Sequence, residues 1–160
     1  MNKITIRKPS LDDLPSLIVL WHGQYKYHHD LDSTYYVSNS TKLDKKYEQY
    51  LSQAINKNDP YILVAVQENI LVGFITYEKV DAGYFDTNIV EHGDVLELYL
   101  DPKYRKTGIG KKLMAEVEKF FKNEGINFMR LQCSTFNKNA LGFYKDIGFT
   151  NRQSLLYKKI

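Results

Sequence analysis

The sequence predicts a protein of the α/β or α+β class, with helices packed around one mixed sheet. Segments that alternate apolar and polar residues, as half-buried strands do, stand between segments whose apolar residues recur at the spacing of an amphipathic helix. Hydrophobic residues make up 43% of the 160 residues and there are only four prolines, which is the composition of an ordinary globular protein. We therefore expect a single domain over residues 1–160.

A strand and a helix are predicted at the start of the chain. The segment "ITIRKP" alternates apolar and polar residues through Ile4 and Ile6, which is the period of a strand. Beyond it, apolar residues recur at spacings of three and four in "LPSLIVLWHGQYKYHH", which predicts a helix. Pro15 is tolerated only in the first turn of a helix, so we place the N-cap at Asp12 or Asp13.

A second helix and a hairpin follow a loop over "DLDSTYYVSNS". Helical spacing resumes in "TKLDKKYEQYLSQAINK", where Thr41 and Asp44 form a capping box. The runs "YILVAVQ" and "ILVGFITYE" are rich in β-branched and aromatic residues and are separated only by Glu68 and Asn69. Two strands joined by a tight turn are therefore predicted.

The next predicted strand is "DVLELYL", after a loop from about Asp81 to Gly93. Its alternation places Leu96, Leu98 and Leu100 on one face and Val95, Glu97 and Tyr99 on the other. The second face would therefore hold a carboxylate between two apolar side chains.

Four elements are predicted in the last third of the chain. A helix runs from Gly108 to Asn123, with Gly125 as its stop signal. The segment "NFMRLQCS" reads as a strand, "NALGFYKDI" as a short helix closed by Gly148, and "SLLYKKI" as a final strand.

Composition excludes several classes of protein. No segment approaches the roughly 18 apolar residues that cross a bilayer, and the first residues contain no apolar signal region. Cys133 is the single cysteine, which rules out an internal disulfide and fits a reducing compartment. We therefore expect a soluble, cytoplasmic protein with no membrane partner. The formal net charge of +3 is too mild to indicate nucleic acid by itself.

Charge is distributed unevenly along the chain. Between residues 78 and 101 the charged side chains are almost all acidic, whereas between residues 103 and 122 basic side chains outnumber acidic ones. The reversal suggests one subsite for an anion and another for a cation.

The segment "YRKTGIGKKL", residues 104–113, places two glycines and four cations at the start of the predicted helix. It matches neither the P-loop pattern GxxxxGK[ST] nor the dinucleotide pattern GxGxxG. Glycines in its RxxGxG sequence leave the free N–H groups of the first turn open to a phosphate. Without such an anion, each lysine there would cost about 0.3–1 kcal/mol. We therefore predict a polyanion site; an ordinary turn with solvated lysines is the alternative.

Two motifs carry a resemblance to a known family. "LELYLDPKYRKTGIGKKL" resembles the acetyl-CoA-binding motif of the GNAT superfamily of N-acetyltransferases, and "NKNALGFYKDIGF" resembles the second motif of that family, NxxAxxFYxxxGF. The resemblance extends from the first strand to the last. It implies a single GNAT N-acetyltransferase domain with a central mixed, mostly antiparallel, twisted sheet flanked by about four helices.

The resemblance also implies acetyl-CoA as cosubstrate and no metal. In this family a backbone N–H of the strand polarises the thioester, the strand pairs with the pantetheine arm, and the RxxGxG loop cradles the pyrophosphate. The cofactor-binding residues implied are Leu98, Tyr99, Leu100, Arg105, Lys106, Thr107, Gly108, Ile109, Gly110, Lys111, Asn137 and Tyr144.

Two side chains are implied to be catalytic. Glu97 would take the proton of the amine, directly or through water; a solvated strand glutamate is the alternative. Tyr144 matches the family tyrosine that protonates or hydrogen-bonds the departing sulfur, although its position in an apolar helix stripe also suits a core tyrosine. Asn137 would hydrogen-bond the cofactor, cap the short helix, or do both.

The segment "LWHGQYKYHHDLD" and the loop after it are implied to border the acceptor pocket. The candidate residues are His28, Asp32, Tyr35 and Tyr36; a solvated helix end is the alternative. A metal site is not expected here, because adjacent histidines on a helix point apart. We interpret Cys133 as a packed strand cysteine, since no base is visible beside it.

The sequence therefore predicts an acetyl-CoA-dependent N-acetyltransferase in which a primary amine of a small molecule or peptide attacks directly. The acidic run suggests a cationic acceptor such as a polyamine, an amino-acid derivative or a lysine. A non-catalytic acyl-CoA-binding or sensing module is the alternative. A nucleic-acid partner would need a basic stripe with exposed aromatic residues, and none is predicted. Family members are often dimers, so a homodimer is an expectation.

Overall fold

The computed structural model describes residues 3–37, 41–81 and 86–160, and for residues 41 and 42 the backbone alone. Its strands are β1 (Ile4–Arg7), β2 (Tyr61–Gln67), β3 (Ile70–Asp81), β4 (Glu91–Leu100) and β5 (Met129–Leu131). Its helices are α1 (Leu14–Leu31), α2 (Thr41–Lys57), α3 (Ile109–Asn123) and α4 (Lys138–Asp146). Within the described ranges, no helix has both the length and the apolar character needed to cross a membrane.

The strands form one mixed sheet in the order β1-β2-β3-β4-β5. Pairing is antiparallel from β1 to β4, and β5 lies parallel to β4. The β2–β3 hairpin turns at Glu68 and Asn69, which both have positive φ, as the predicted two-residue turn requires. The predicted class, a mostly antiparallel mixed sheet flanked by helices, is confirmed.

The first two helices cover one face of the sheet. Leu17 and Trp21 of α1 and Leu51 of α2 are buried against Phe74 of β3 and Tyr99 of β4. The Trp21 ring stacks on the Phe74 ring with 4.9 Å between the ring centroids. This aromatic contact anchors α1 to the middle of the sheet.

Helix α3 covers the opposite face. Leu113, Val117 and Phe121 are buried in one cluster with Ile75 and Val95. Because successive residues of a strand point to opposite faces, the neighbours at positions 74 and 75 of β3 belong to the two different cores. The sheet is therefore covered on both sides.

An extra residue interrupts the pairing of β4 with β3. Thr76 pairs with Glu97, but the next residue of β3, Tyr77, pairs with Val95. Leu96 is thus the additional residue of a β-bulge. Because of it, Val95 and Glu97 point to opposite faces of the sheet, whereas strict alternation would place them on the same face.

The bulge makes the predicted faces of this strand wrong. Val95 lies in the core beneath α3 instead of beside Glu97 and Tyr99, and Leu96 is 38% exposed instead of sharing the buried face of Leu98. Strict alternation over "DVLELYL" could not show this, because a bulge depends on the pairing with β3 and not on the residues of β4 alone.

Strands β4 and β5 separate after a short stretch of pairing. Only Gly93–Val95 of β4 pair with Met129–Leu131 of β5. From residue 96 to Leu100, no described strand pairs with β4 on this side. The separation therefore leaves a strand edge to which an extended ligand can hydrogen-bond.

Two predicted strands are shorter or absent. "NFMRLQCS" forms only the three-residue β5, so Cys133 lies beyond the strand and is half-buried. Residues 154–160, "SLLYKKI", form no strand, and Leu155 and Leu156 are 69% and 89% exposed. Alternation produces a strand only where a neighbouring strand is available, and no described strand pairs with this segment.

The predicted loop from Asp81 to Gly93 is also shorter than expected. β3 and β4 continue to pair as far as Asp81 and Glu91. Residues 82–85 of that loop, residues 38–40 of the loop before α2, and the side chain of Thr41 in the predicted capping box lie outside the described part of the chain.

The start of α1 is joined to β1 by an ion pair. Asp13 is the N-cap, one of the two residues predicted, and Pro15 lies in the first turn. Its carboxylate accepts hydrogen bonds from Arg7 Nη1 at 2.6 Å and Nη2 at 2.9 Å, and from Ser10 N at 2.7 Å. These bonds, the one from Arg7 above all, lower the pKa of Asp13 to about 2.

We expect Asp13→Asn to lower the free energy of unfolding by roughly 1–2 kcal/mol at pH 7, because it removes the charge that accepts hydrogen bonds from Arg7 and Ser10 N. A lowered pKa stabilises the fold above the unfolded pKa near 4, and this stabilisation is lost as pH falls towards 2. Urea unfolding at pH 7 and pH 3 measures both effects, with the exposed neighbour Asp12→Asn as control. A difference from wild type that does not shrink at pH 3 would contradict the electrostatic origin.

Candidate active site

The predicted anion loop lies between the end of β4 and the start of α3. Gly108, the N-cap of α3, has a φ of 86°, a left-handed conformation that glycine adopts without strain. Lys106 also has a positive φ, and Thr107 Oγ1 donates to the Tyr104 carbonyl at 2.6 Å. With this turn in place, the first N–H groups of α3, from Ile109 onward, have no acceptor within the helix.

The two glycines of the loop meet different requirements. A Cβ at Gly108 would meet no atom within 4 Å, so only its backbone angle requires glycine. A Cβ at Gly110 would lie 3.3 Å from Phe143 Cζ and 3.6 Å from Leu100 Cδ1, so glycine there permits close packing of α3 on α4. Ile109 is 1% exposed, and only its backbone is available to a ligand.

Arg105 connects the loop to β4. Its Nε donates to the Leu100 carbonyl at 3.1 Å, and its guanidinium lies 4.9 Å from the ring centroid of Tyr27 and 5.4 Å from that of Tyr99. These contacts fix the loop against both the strand and α1. Lys111, in the first turn of α3, is exposed and places its side chain at the helix N-terminus.

Glu97, the predicted base, lies half-buried on the β4 face that α1 covers. Burial raises the pKa of its carboxyl to about 7, and a hydrogen bond from Gln24 Nε2 to Oε2 partly opposes that rise. Among the described residues, no lysine, arginine or histidine forms an ion pair with it. Glu97 can therefore exchange a proton near neutral pH.

Sequence analysis missed Gln24, which is buried in α1 and 4% exposed. The residue before it, Gly23, permits the approach of α1 to β4: a Cβ at Gly23 would lie 2.4 Å from Tyr99 Oη. A glycine inside an otherwise helical pattern marks such a close approach. That signal was present in "WHGQY", but it could not identify the strand that α1 meets.

Tyr144, the predicted acid, lies on α4. Burial, with the nearby Cys133 and Glu97, raises the pKa of its phenol. The ring packs edge-on against Phe143 and Phe149, with centroid distances of 5.3 and 5.8 Å. The fold thus places a phenol that is protonated at neutral pH close enough to Glu97 for the two groups to interact electrostatically.

Asn137 is the N-cap of α4 and is 8% exposed. Its Oδ1 accepts from Ala140 N at 3.2 Å and from the Tyr27 hydroxyl at 3.0 Å. The capping role anticipated for Asn137 is present. The bond from Tyr27 joins α1 to the start of α4. The ring of Tyr27 also contacts the Arg105 guanidinium, so Asn137 and Arg105 share this neighbour.

The four predicted acceptor residues lie together at the end of α1. The His28 and Tyr36 rings are 4.9 Å apart, and burial lowers the pKa of His28. Asp32 Oδ1 accepts from Tyr35 N at 3.3 Å and shapes the loop. Burial raises the pKa of the Tyr36 phenol, and the nearby Tyr35 and Glu97 raise it further. This segment therefore borders the candidate base.

The Tyr35 ring extends the aromatic cluster to the last residues of the chain. It lies 4.9 Å from the Tyr36 ring and 5.5 Å from the Tyr157 ring, and the hydroxyls of Tyr35 and Tyr157 are 3.4 Å apart. Sequence analysis assigned Tyr157 to a final strand and did not place it beside the acceptor segment.

Cys133 does not have the surroundings of a nucleophile. Burial raises the pKa of its thiol, and its Sγ lies 3.7 Å from the Ser134 carbonyl oxygen. A thiol with a raised pKa stays protonated at neutral pH and is inert.

Comparison with known proteins identifies the class. A model of the acetyltransferase (GNAT) family matches residues 25–149, and the chain belongs to this family. The chain is 30% identical over 150 residues to a spermidine N(1)-acetyltransferase of Thermoplasma acidophilum, covering 91% of this chain and 88% of that protein. The protein is an acetyl-CoA-dependent N-acetyltransferase.

Solved structures agree with this assignment. The crystal structure of the PaiA N-acetyltransferase of Thermoplasma acidophilum in complex with coenzyme A has a TM-score of 0.75 and 27% identity, over 95% of this chain and 92% of that one. A point mutant of the BH1408 protein of Bacillus halodurans has a TM-score of 0.87 over 98% and 99% of the two chains. At 18% identity, the second comparison supports the fold alone.

The raised pKa of Glu97 leads to a prediction about pH. A carboxyl with a pKa of about 7 is a base only when ionised, so kcat/KM should fall roughly tenfold per pH unit below pH 7. Glu97→Gln should lower kcat/KM about 100-fold and remove this acid limb. CoA release measured from pH 5.5 to 8.5 tests both effects, with the exposed Glu118→Gln as control. An acid limb that survives in Glu97→Gln would assign the base to another group.

Proposed function

We propose that the amine attacks the thioester directly, with Glu97 as general base and Tyr144 as general acid. The observation that carries this proposal is that the fold places a carboxyl with a pKa of about 7 close to a phenol whose pKa is raised above its ordinary value. Near neutral pH the first group can accept a proton and the second carries one that it can give, as a general base and a general acid require.

The proton steps balance within this pair. An alkylammonium with a pKa near 10.4 costs roughly 4–5 kcal/mol to deprotonate at pH 7, which a carboxylate acceptor offsets in part. Glu97 takes one proton from the ammonium, the neutral nitrogen forms a bond to the acetyl carbon, and the carbon–sulfur bond breaks. Tyr144 gives its proton to the departing sulfur, its phenolate takes the second proton from the nitrogen, which is thereby left as a neutral amide, and Glu97 releases its proton to solvent.

Acetyl-CoA fits the opening between β4 and β5. Residues Leu98–Leu100 lie on the β4 edge that β5 leaves unpaired, so their backbone can pair with a pantetheine arm. The N-terminus of α3 offers free N–H groups and the charge of Lys111 to a pyrophosphate. Arg105 and Asn137 support this surface through the contacts that both make with Tyr27. We propose that these residues, with positions 106–110 of the loop, hold the cofactor.

The acceptor we propose is a small cationic amine, such as a polyamine or a lysine derivative. The rings of His28, Tyr35 and Tyr36 border the base, and tyrosine faces attract cations. Asp32, at the same end of α1, adds a negative charge. The name of the Thermoplasma relative, a spermidine acetyltransferase, is in keeping with such an acceptor.

The acidic run before the loop supports this acceptor less than the sequence suggested. The Asp94 carboxylate accepts hydrogen bonds from Arg130 Nε, at 2.8 Å, and from Arg130 Nη2. Asp101 accepts one from Lys103 N at 2.9 Å. Both carboxylates therefore have structural partners, and Glu97 is the member of the run that lies at the site. The cytoplasmic location and the homodimer remain predictions.

We expect spermidine and a lysine peptide to be acetylated with kcat/KM at least tenfold above that of a primary amine of similar length with a neutral tail. A cation over an aromatic ring gains about 0.5–2 kcal/mol, which is about 2-fold to 30-fold, and the charge of Asp32 adds to this preference. CoA release with each amine gives the comparison. Tyr36→Leu should reduce the preference, whereas Tyr61→Leu, on the α3 side of the sheet, should not. Equal rates for neutral or anionic amines would exclude a cationic acceptor.

We expect Tyr144→Phe to lower kcat by tenfold or more while the Kd for acetyl-CoA stays nearly unchanged, because only the proton donor is removed. Steady-state CoA release and calorimetric titration with acetyl-CoA measure the two quantities. Tyr61→Phe is the matched control, since that ring packs against Tyr77 and Phe120 under α3. An unaltered kcat would remove Tyr144 from its proposed role.

A further inference from the structure

We infer that Gln24 and Thr76 are positioning residues for the proton transfer at Glu97. Gln24 orients the Glu97 carboxylate. Gln24 Oε1 and Thr76 Oγ1 accept hydrogen bonds from a donor that binds beside this carboxylate. This inference rests on the proposed role of Glu97 as base and assigns the groups that make that role effective.

The contact between Gln24 and Glu97 is direct. Gln24 Nε2 donates to Glu97 Oε2, and the glutamine is 4% exposed, so water competes little for the bond. Gly23 allows α1 to lie close enough to β4 for the glutamine to reach, since a side chain at position 23 would collide with the Tyr99 hydroxyl. The direction of the bond favours the ionised carboxylate, which is the form that acts as a base.

The second observation concerns two polar atoms beside this bond. Gln24 Oε1 and Thr76 Oγ1 are buried, and neither has a hydrogen-bond partner among the described residues. A buried polar atom without a partner destabilises the fold, so its retention requires a reason. In most proteins such atoms bind a ligand or an ordered water.

Strand pairing places Thr76 next to the carboxylate. Thr76 of β3 is the register partner of Glu97 of β4, and it lies on the face that also carries Phe74 and the core beneath α1. Side chains of directly paired residues have Cβ atoms about 5 Å apart. Gln24 approaches Glu97 from α1, and Thr76 is its neighbour within the sheet, so both unpartnered oxygens belong to residues adjacent to Glu97.

Gln24 Oε1 and Thr76 Oγ1 would be satisfied by a hydrogen-bond donor that binds next to Glu97. The N–H of the attacking amine is one such donor, and a water between the amine and Glu97 is the other. In the second case the water gives one proton to Glu97 and takes one from the amine nitrogen, so no charge is left on it. In both cases Gln24 Oε1 and Thr76 Oγ1 fix the donor at the carboxylate.

The tyrosines near Glu97 do not change charge in the same pH range, and burial lowers the pKa of His28, at the end of α1, away from that of Glu97. Four tyrosines interact electrostatically with Glu97: Tyr25 of α1, Tyr36 of the loop after α1, Tyr50 of α2 and Tyr144 of α4. The pKa of each phenol is raised above its ordinary value, first of all by burial. A change of the acid limb in a Gln24 variant would therefore report on the carboxyl itself.

The test compares Gln24→Met, Thr76→Val and the conservative Thr76→Ser with wild type. The first two keep side-chain volume and remove the polar atoms, whereas the third keeps the hydroxyl. We expect Gln24→Met to move the acid limb of kcat/KM upward by about one pH unit, since a charge-assisted bond is lost. Thr76→Val should lower acetylation about tenfold, and Thr76→Ser should retain most of the activity.

Steady-state kinetics with spermidine separate the two donors. If the amine itself is held, KM for the amine rises in Gln24→Met and Thr76→Val; if a water is held, kcat falls and KM stays constant. Either pattern supports the inference. Wild-type kinetics and an unmoved acid limb in both variants would overturn it. Thr76→Val with its serine control tests the inference separately if Gln24→Met does not fold.

Glu97→Gln distinguishes the failure of this inference from the failure of the proposed function. If Glu97→Gln loses the acid limb but Gln24→Met and Thr76→Val behave as wild type, Glu97 is the base and the two residues do not position it. If Glu97→Gln keeps the limb, both the base assignment and this inference are wrong. Calorimetric titration with acetyl-CoA confirms that each variant is folded and binds the cosubstrate.

Discussion

The bulge at Leu96 is the constraint on which the rest of the site depends. One extra residue in β4 sends Val95 into the core beneath α3 and turns Glu97 towards α1. Immediately beyond it, pairing between β4 and β5 stops, so the edge that would bind the pantetheine arm begins where the base is placed. The geometry required for attack on a bound thioester is therefore built into the hydrogen bonding of the sheet and not into a loop.

Burial of Glu97, with no cationic partner in the described part of the chain, gives this site its electrostatic character. A carboxylate beside an arginine would keep a low pKa, as Asp13 does beside Arg7. Glu97 is instead buried with no such partner among the described residues, so its pKa is raised to about 7, although the hydrogen bond from Gln24 partly opposes the rise. The same surroundings raise the pKa of Tyr144 and keep its proton available. One apolar environment thus raises the pKa of the proposed acid and of the proposed base by the same physical effect, since burial disfavours the charged form of both.

Direct contacts join the anion loop to α4, the helix that carries the proposed acid. Arg105 holds the loop to the carbonyl at the end of β4 and stacks against Tyr27, while Tyr27 also bonds to Asn137 at the start of α4. Gly110 lets α3 approach Phe143 of that helix. The residues that would bind the two ends of acetyl-CoA therefore belong to one packed unit, and a shift of the loop would be felt at the acid on α4.

By itself, the sequence determined what local rules control: the hairpin turn at Glu68 and Asn69, the helix start at Asp13, and the two motifs that identified the family. These features depend on residues a few positions apart. Only the tertiary structure decided the bulge at Leu96, the bond from Gln24 to Glu97, and the lack of a partner for the segment 154–160 among the described strands. Gln24 and Glu97 lie far apart in the chain, and a contact between them exists only after α1 has packed across β4. No periodicity within either segment could have predicted it, because pairing and packing are set by elements brought together from different parts of the chain.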